Sequence, residues 1–340
     1  MIEKVFFKTM NSLGLYEKNP HLAVAVSGGC DSLCLALLAK KWVNNKGGRI
    51  TALIIDHGLR KSSGEECKKT LRLLKKQKIF SQCFKWQLSK KPKNSVQEKA
   101  REFRYNIFEE WCYKKNIKYL LVAHHFEDQK ETFIMRLNSN SNIYGLACMP
   151  KVLLKKEIKI LRPLLDLKKK DIINYLKEKK INWIEDPTNN SLKYSRNRLR
   201  KILPKLEKKG LTDSNFKRIL KRAQKERKKI ESKFSFWLIK NVNIHTLGYA
   251  AVNFRSLKLL DKDDFVFIFS KLLNIISGSF YGPKSKYVYN FYKKMKSNET
   301  INKTNLGGCH IFFFKKKMYV CREVFKKSRK QEINFQLNKI

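Results

Sequence analysis

Apolar residues in the first 125 positions alternate between two kinds of spacing. Strand-like runs appear at His21–Val26, Arg49–Ile55, Ile79–Trp86 and Lys118–Ala123. Between them the spacing shifts to helical period over Leu33–Asn44, Glu65–Lys78 and Val96–Lys115. Strands that alternate with helices predict an α/β fold with a doubly wound parallel sheet, whose ligands sit beyond the carboxyl ends of the strands. Polar groups gather at those places: a glycine turn after the first strand, Asp56-His57-Gly58-Leu59-Arg60 after the second, and His124-His125 after the fourth.

The later sequence reads differently. Asp213 to Ile239 has the pattern of a basic amphipathic helix, with Phe216, Ile219, Leu220 and Ala223 on its apolar stripe. Its bland role is a linker, and its basic face also suits RNA. A chain of 340 residues is too long for one ordinary core. Three parts are expected: a catalytic domain over 1–205, a helical linker or RNA-binding segment over 206–245, and a small α+β domain over 246–340. No apolar run approaches a membrane span and no signal-peptide core is seen, so a cytoplasmic location with no membrane partner is expected. The eight cysteines form no C-x-x-C pair and read as small buried hydrophobes rather than metal ligands. The net charge of +46 is spread along the whole chain. Compositional drift explains abundant lysine more easily than it explains scarce acid, which favours a polyanionic partner such as nucleic acid.

Candidate chemistry centres on Ser27-Gly28-Gly29-Cys30-Asp31-Ser32, where an apolar strand meets a glycine turn that opens a helix. Such a turn suits phosphate: glycine lets the backbone approach closely, and the helix amides point outward at the positive end of the dipole. A carboxylate at Asp31 then needs a partner, such as a divalent cation bridging to phosphate, or a ribose or amine donor. The run lacks the lysine of the Walker loop and the third glycine of the dinucleotide fingerprint. It is similar to SGGxDS, the pyrophosphate loop of N-type ATP pyrophosphatases, which cleave ATP between its α and β phosphates. A second group, His125, Asp128, Glu131 and Thr132, shares one helix face by its spacing and reads as a metal or phosphate site. The alternative there is an acidic first turn that complements the helix dipole.

Four further elements complete a family resemblance: Asp56 to Arg60, the A-R-x-x-R-Y element at Ala100 to Tyr105, the H-H-x-x-D-Q-x-E-T run at His124 to Thr132, and Arg162-Pro163-Leu164-Leu165. Gly145-Leu146 with Met149, and Glu185-Asp186-Pro187-Thr188-Asn189 followed by Tyr194-Ser195-Arg196-Asn197 and Arg200, continue it in order. The chain thus resembles the bacterial tRNA(Ile)-lysidine synthetases. The resemblance implies a ligase that uses ATP and Mg2+ to adenylate the wobble cytidine in the CAU anticodon of tRNA(Ile) and joins L-lysine to it. Its implied ATP ligands are Ser27, Gly28, Gly29, Cys30, Asp31 and Ser32. Asp31 and Asp128 are the implied metal ligands, His125 orients a phosphate or takes a proton, and Arg101 and Arg104 are candidate substrate clamps or plain surface ion-pair partners. Oligomeric state stays open, a homodimer being one arrangement. Three departures stand out: Glu127 as the first of two acids before the glutamine, the neutral run Asn138 to Asn142, and Cys148 where glycine is frequent. A tRNA thiolase and a non-catalytic RNA-binding protein are the competing readings.

Overall fold

A computed structural model describes residues 1–56, 58, 63–85, 96–155, 158–185, 195–279, 282–297, 303–314 and 317–323, with backbone alone at 96–99, 195–198, 200 and 201. Backbone contacts divide the chain into two compact units, Met1–Arg227 and Lys228–Ile340.

The first unit runs α1 (Ile2–Leu13), β1 (His21–Ala25), α2 (Cys30–Asn44), β2 (Arg49–Asp56), α3 (Ser63–Lys76), β3 (Phe80–Lys85), α4 (Val96–Lys114) and β4 (Tyr119–Leu121). It continues through α5 (Phe126–Asn138), α6 (Ile143–Leu146), β5 (Val152–Lys155), β6 (Ile158–Leu161), α7 (Lys169–Glu178), α8 (Ser195–Lys208) and α9 (Asp213–Asn241), whose last turns belong to the second unit. The sheet order is β3-β2-β1-β4-β6-β5. Every pairing is parallel except β5 with β6. The expected doubly wound parallel sheet is therefore present. Strand order reverses between β1 and β4, the place where such sheets open a ligand crevice beyond the strand ends.

Burial explains the sequence of α2. Leu33, Leu35, Ala36, Leu38, Ala39, Trp42 and Val43 are all buried, because the helix lies between the sheet and helices α1 and α7 and so needs apolar side chains nearly all round. Trp42 satisfies its one polar atom by donating to Asn11 Oδ1 at 3.0 Å. Strands β5 and β6 and helix α7 were not foreseen from spacing. The two strands are four residues long, and Lys155 and Lys159 interrupt their apolar runs. A smaller core joins α5 to α8 and α9 through Phe126, Phe133, Leu199, Leu203, Phe216 and Leu220. Phe216 meets Phe126 and Phe133 edge to face, each at 5.5 Å. Beside it the buried Lys130 pairs with Glu207 at 2.6 Å and with Asp213, so α5 is fixed in direction as well as depth.

The second unit continues with β7 (Val242–Ile244), β8 (Tyr249–Val252), α10 (Phe254–Lys258), α11 (Lys262–Ser277), α12 (Ser285–Lys296), β9 (Lys303–Leu306), β10 (Cys309–Phe314) and β11 (Lys317–Arg322). Its sheet, ordered β7-β8-β11-β10-β9, is antiparallel throughout. Asp261 caps α11 by accepting from Asp264 N at 2.8 Å, and Gly278 ends it at φ +65. Phe265, Phe269 and Phe291 form the centre of the core, with Phe269 and Phe291 stacked at 5.1 Å. All eight cysteines are free thiols, although Cys67 on α3 and Cys83 on β3 bring their sulfurs to 2.7 Å. Among the described residues, no helix is long and apolar enough to cross a membrane.

Candidate functional site

Strand β1 leads into the turn Ser27-Gly28-Gly29, which is held both by its own serines and by bonds to Leu53 and Ile184. Val26 N donates to Leu53 O at 2.9 Å, which keeps the turn on the line of the sheet. Ser32 Oγ accepts from Ser27 N at 3.1 Å and donates to Gly29 O at 3.0 Å, so the serine hydroxyl staples the turn to the helix it opens. Ile184 N donates to Gly28 O at 3.0 Å and pins the turn from behind. Gly28 has φ +87, and a Cβ there would lie 2.3 Å from Thr70 Oγ1. Both conformation and space therefore require glycine. Gly29 occupies the N-cap of α2 with no side-chain cap. The amides of the first helical turn thus have no acceptor within the helix and present the positive end of its dipole. That arrangement binds phosphate.

Asp31, in the first turn of α2, faces the start of α5. His125 Nε2 lies 3.8 Å from Asp31 Oδ1 and 3.6 Å from Asp128 Oδ2. Asp128 Oδ2 also accepts from His125 N at 3.0 Å, capping α5. On the other side of the ring, Nδ1 donates to Glu127 Oε2 at 2.9 Å, and the same carboxylate oxygen accepts from Lys169 N at 3.0 Å. Burial alone would push His125 toward the neutral form. The hydrogen bond to Glu127 and the charges of Asp128 and Asp31 outweigh it and raise its pKa above the ordinary value. Burial likewise pushes Glu127 up, but its bond to His125 and the backbone donor of Lys169 leave it lower than usual. Lys169 Nζ closes the group, donating to both oxygens of Asp31 at 2.6 Å and to Cys30 Sγ at 3.0 Å.

The structure thus brings together Ser27, Gly28, Gly29, Cys30, Asp31, Ser32, His125 and Asp128. Arg101 and Arg104 are on α4 in a different group. The Arg101 guanidinium lies 5.7 Å from the Tyr105 ring. The buried Arg162, from the Arg-Pro-Leu-Leu element, donates to Pro150 O at 2.8 Å. Burial and the nearby cations Arg101 and Arg227 make Arg162 easier to deprotonate than a free arginine, while Tyr105 acts the other way. Asp56 accepts from Gly58 N at 3.0 Å, but His57, Leu59, Arg60, 186–190 and 194 lie outside the described residues. Cys148, where glycine is frequent in the resembled family, adopts φ +56. Glycine takes that conformation at no steric cost, which accounts for the preference.

Three residues were missed by the sequence reading. Glu127 gave no signal beyond being acidic in a first helical turn. Lys169 sits in the run Lys168-Lys169-Lys170, where no spacing singles out one lysine. Thr70 touches the site only through the space it denies to Gly28.

A donor set of two carboxylates, Asp31 and Asp128, set against a phosphate-binding turn matches what Mg2+ takes from a protein when phosphates and water complete its shell. Among the described residues no group of three or more His, Cys, Asp or Glu could hold an ion unaided.

Comparison with known proteins agrees with this geometry. The PP-loop domain family matches residues 2–206. The tRNA(Ile)-lysidine synthase of Wolbachia pipientis wMel is 32% identical over 339 residues, which cover 99% of this chain and 77% of that one. The tRNA(Ile)-lysidine synthase of Orientia tsutsugamushi (strain Boryong) is 37% identical over 202 residues, 59% of this chain and 45% of that one. Among solved structures, the U34-tRNA thiolase from Methanococcus maripaludis with its 4Fe-4S cluster superposes with a TM-score of 0.56 at 16% identity. It covers 67% of this chain and 78% of that one, a likeness of fold alone. With the PP-loop match spanning the whole parallel-sheet unit up to residue 206 and the sequence match running on through nearly all of the rest, the chain belongs to the tRNA(Ile)-lysidine synthase family.

Proposed function

We propose that this protein joins L-lysine to the wobble cytidine in the CAU anticodon of tRNA(Ile), with ATP as the activating reagent and AMP and pyrophosphate as products. The observation that carries the reading is the meeting of the Ser27–Ser32 turn with Asp31, His125 and Asp128 at the strand ends, in a member of this family. The chemical problem is that the 2-oxo group of cytosine leaves poorly. Attack of that oxygen on the α-phosphorus, with loss of pyrophosphate, turns it into a good leaving group. The ε-amine of lysine then adds at the same carbon, AMP departs, and the amine's protons are released. Little covalent chemistry falls to the protein, so positioning and charge stabilisation carry the rate.

Gly28, Gly29, Cys30 and their neighbours hold the triphosphate through backbone amides, with the Ser27 and Ser32 hydroxyls closing the turn. Asp31 and Asp128 would hold Mg2+, which neutralises phosphate charge when bound. His125 is flanked by three carboxylates, which favour its protonated form, and is oriented beside the phosphates. Arg101 and Arg104 clamp the RNA or the nucleotide. The buried Nε–H groups of Arg101 and Arg162, which have no acceptor among the described residues, favour an anionic ligand there. The base enters the crevice splayed out of its loop, as RNA bases do when proteins act on them. The +46 net charge supplies the attraction for the tRNA body. Formation of AMP from ATP is measured with tRNA and each amino acid in turn. Turnover that requires lysine is expected. Turnover that instead requires a sulfur donor means a thiolase, and none with any acceptor means a binding protein.

A further inference from the structure

We propose that Lys169 is a catalytic residue that lets go of Asp31 and grips the pyrophosphate leaving group. This deepens the ligase reading and rests on it.

Three features place Lys169 apart from an ordinary ion-pair partner. Its ammonium is half-buried at the mouth of the phosphate-binding turn, on both oxygens of Asp31 and on the sulfur of Cys30, the first residue of α2. All three of its donors are therefore committed to the residues whose backbone amides receive phosphate. Its own backbone is fixed independently, because Lys169 N donates to Glu127 Oε2, the oxygen that also orients His125. The side chain is thus a flexible stem on an anchored base. Finally, its partner is the carboxylate best placed to hold Mg2+. An ammonium held on both oxygens of Asp31 repels a divalent cation arriving at the same carboxylate. When ATP arrives with its metal, the ammonium is displaced from Asp31 while its backbone stays put. Phosphates entering the turn beside Cys30 then offer it a compensating charge.

In the transfer step the oxygen of cytosine forms its bond to the α-phosphorus as the bond from that phosphorus to the bridging oxygen breaks. The electron pair passes to the departing pyrophosphate. Lys169 remains an ammonium throughout and donates to the oxygens that gain this charge, so no proton is transferred through it. A point charge on a flexible stem suits such a task.

The test uses the full chain with Lys169→Met and Lys169→Arg. Pyrophosphate binding with Mg2+ is measured calorimetrically without tRNA, alongside pyrophosphate release in the complete reaction. Lys169→Met is expected to bind pyrophosphate about 10- to 100-fold more weakly, the loss typical of a charge-assisted hydrogen bond. It is expected to release pyrophosphate about 100- to 1,000-fold more slowly, with KM for ATP changed far less. Lys169→Arg, which keeps the charge, should recover most of the binding. Removal of the competing cation should also tighten Mn2+ binding to the nucleotide-free Met variant. Wild-type pyrophosphate affinity in Lys169→Met would overturn the proposal, as would Mn2+ binding no tighter than in wild type. Should Lys169→Met fail to fold, pyrophosphate affinity in Lys169→Arg no better than about 100-fold below wild type would do the same. Failure of the ligase reading would appear separately, as wild-type protein that binds pyrophosphate yet forms no AMP with tRNA and lysine.

Discussion

The two units bury different things. In the first, Glu109, His125, Asp128, Gln129, Lys130, Glu131 and Arg162 are all buried, and five of these seven lie in seven consecutive residues where strand β4 gives way to helix α5. In the second, Ser277 is the one buried polar residue among those described, and the core is phenylalanine, leucine, isoleucine and valine. Burying charge is costly unless each group is paired, and cores gain nothing in general from ion pairs over apolar packing. Buried ionisable groups gather where a site uses them and also where ion pairs fix the architecture, as those of Lys130 with Glu207 and Asp213 do. The second unit obtains its stability from rings and leaves its lysines outside. Chemistry and stability are therefore separable here, and each can be attacked alone.

The sharpest attack is on Asp31. Asp31→Ala removes the carboxylate shared by Lys169 and His125, one of the two proposed to hold Mg2+. Pyrophosphate release is expected to fall by about 1,000-fold or more. Thermal unfolding of the second unit should be untouched. A variant that turns over like wild type would show that the buried charge of the first unit is architectural.

Much of that unit was legible in sequence, for definable reasons. Strands β1, β2 and β4 are largely apolar runs bounded by turns, β3 is flanked in sequence by apolar Ile79 and Trp86, and α3 between them has one clear apolar period. The phosphate turn was legible because glycine at Gly28 answers two demands at once, a left-handed φ and the nearby Thr70. Asp31, His125 and Asp128 could be named because they follow strand ends, where such sheets place ligands. Lys169 could not: it is 138 residues from Asp31, and a lysine amid lysines has no signature. The pairing of Glu127 with His125 was hidden for a similar reason, since the choice between two adjacent acids is settled by which one the start of α7 reaches. Arg101 was legible as a cation beside Tyr105, four residues on in α4, but not in the company of Arg162, which joins it only in the fold. The helix Asp213 to Asn241, which begins in the first unit, was anticipated to within two residues of its end, whereas the antiparallel sheet of the second unit was foreseen only as part of a small α+β domain.

The complementary attack is on the aromatic centre of the second unit. Phe269 is wholly buried and stacks on Phe291 at 5.1 Å. Phe269→Ala should destabilise that unit by about 3 to 5 kcal/mol, the usual cost of deleting a buried ring. Differential scanning calorimetry would show one transition moved down. Binding of a non-hydrolysable ATP analogue should stay within about twofold of wild type, because the site is built from other residues. A matching loss of nucleotide affinity would mean that the two units are energetically one, and the contrast drawn above would fail.

The finest test asks whether the buried charge of the first unit also contributes to its stability. The pKa of His125 lies above its ordinary 6.5, because Glu127, Asp128 and Asp31 outweigh the effect of burial. A group bound more tightly to its proton in the folded chain stabilises that chain fully below the unfolded value, where both states are protonated. The contribution fades as pH rises through the folded value, since the native state must then give up the proton that held three carboxylates together. Replacing His125 by glutamine should therefore lower Tm most near about pH 6 and least near about pH 9. The deficit of Phe269→Ala, which removes nothing that titrates, should stay level over the same range. If the His125→Gln deficit is also level, or grows with pH, the imidazole is held by packing rather than by its carboxylates. The first unit would then be stabilised in the same way as the second.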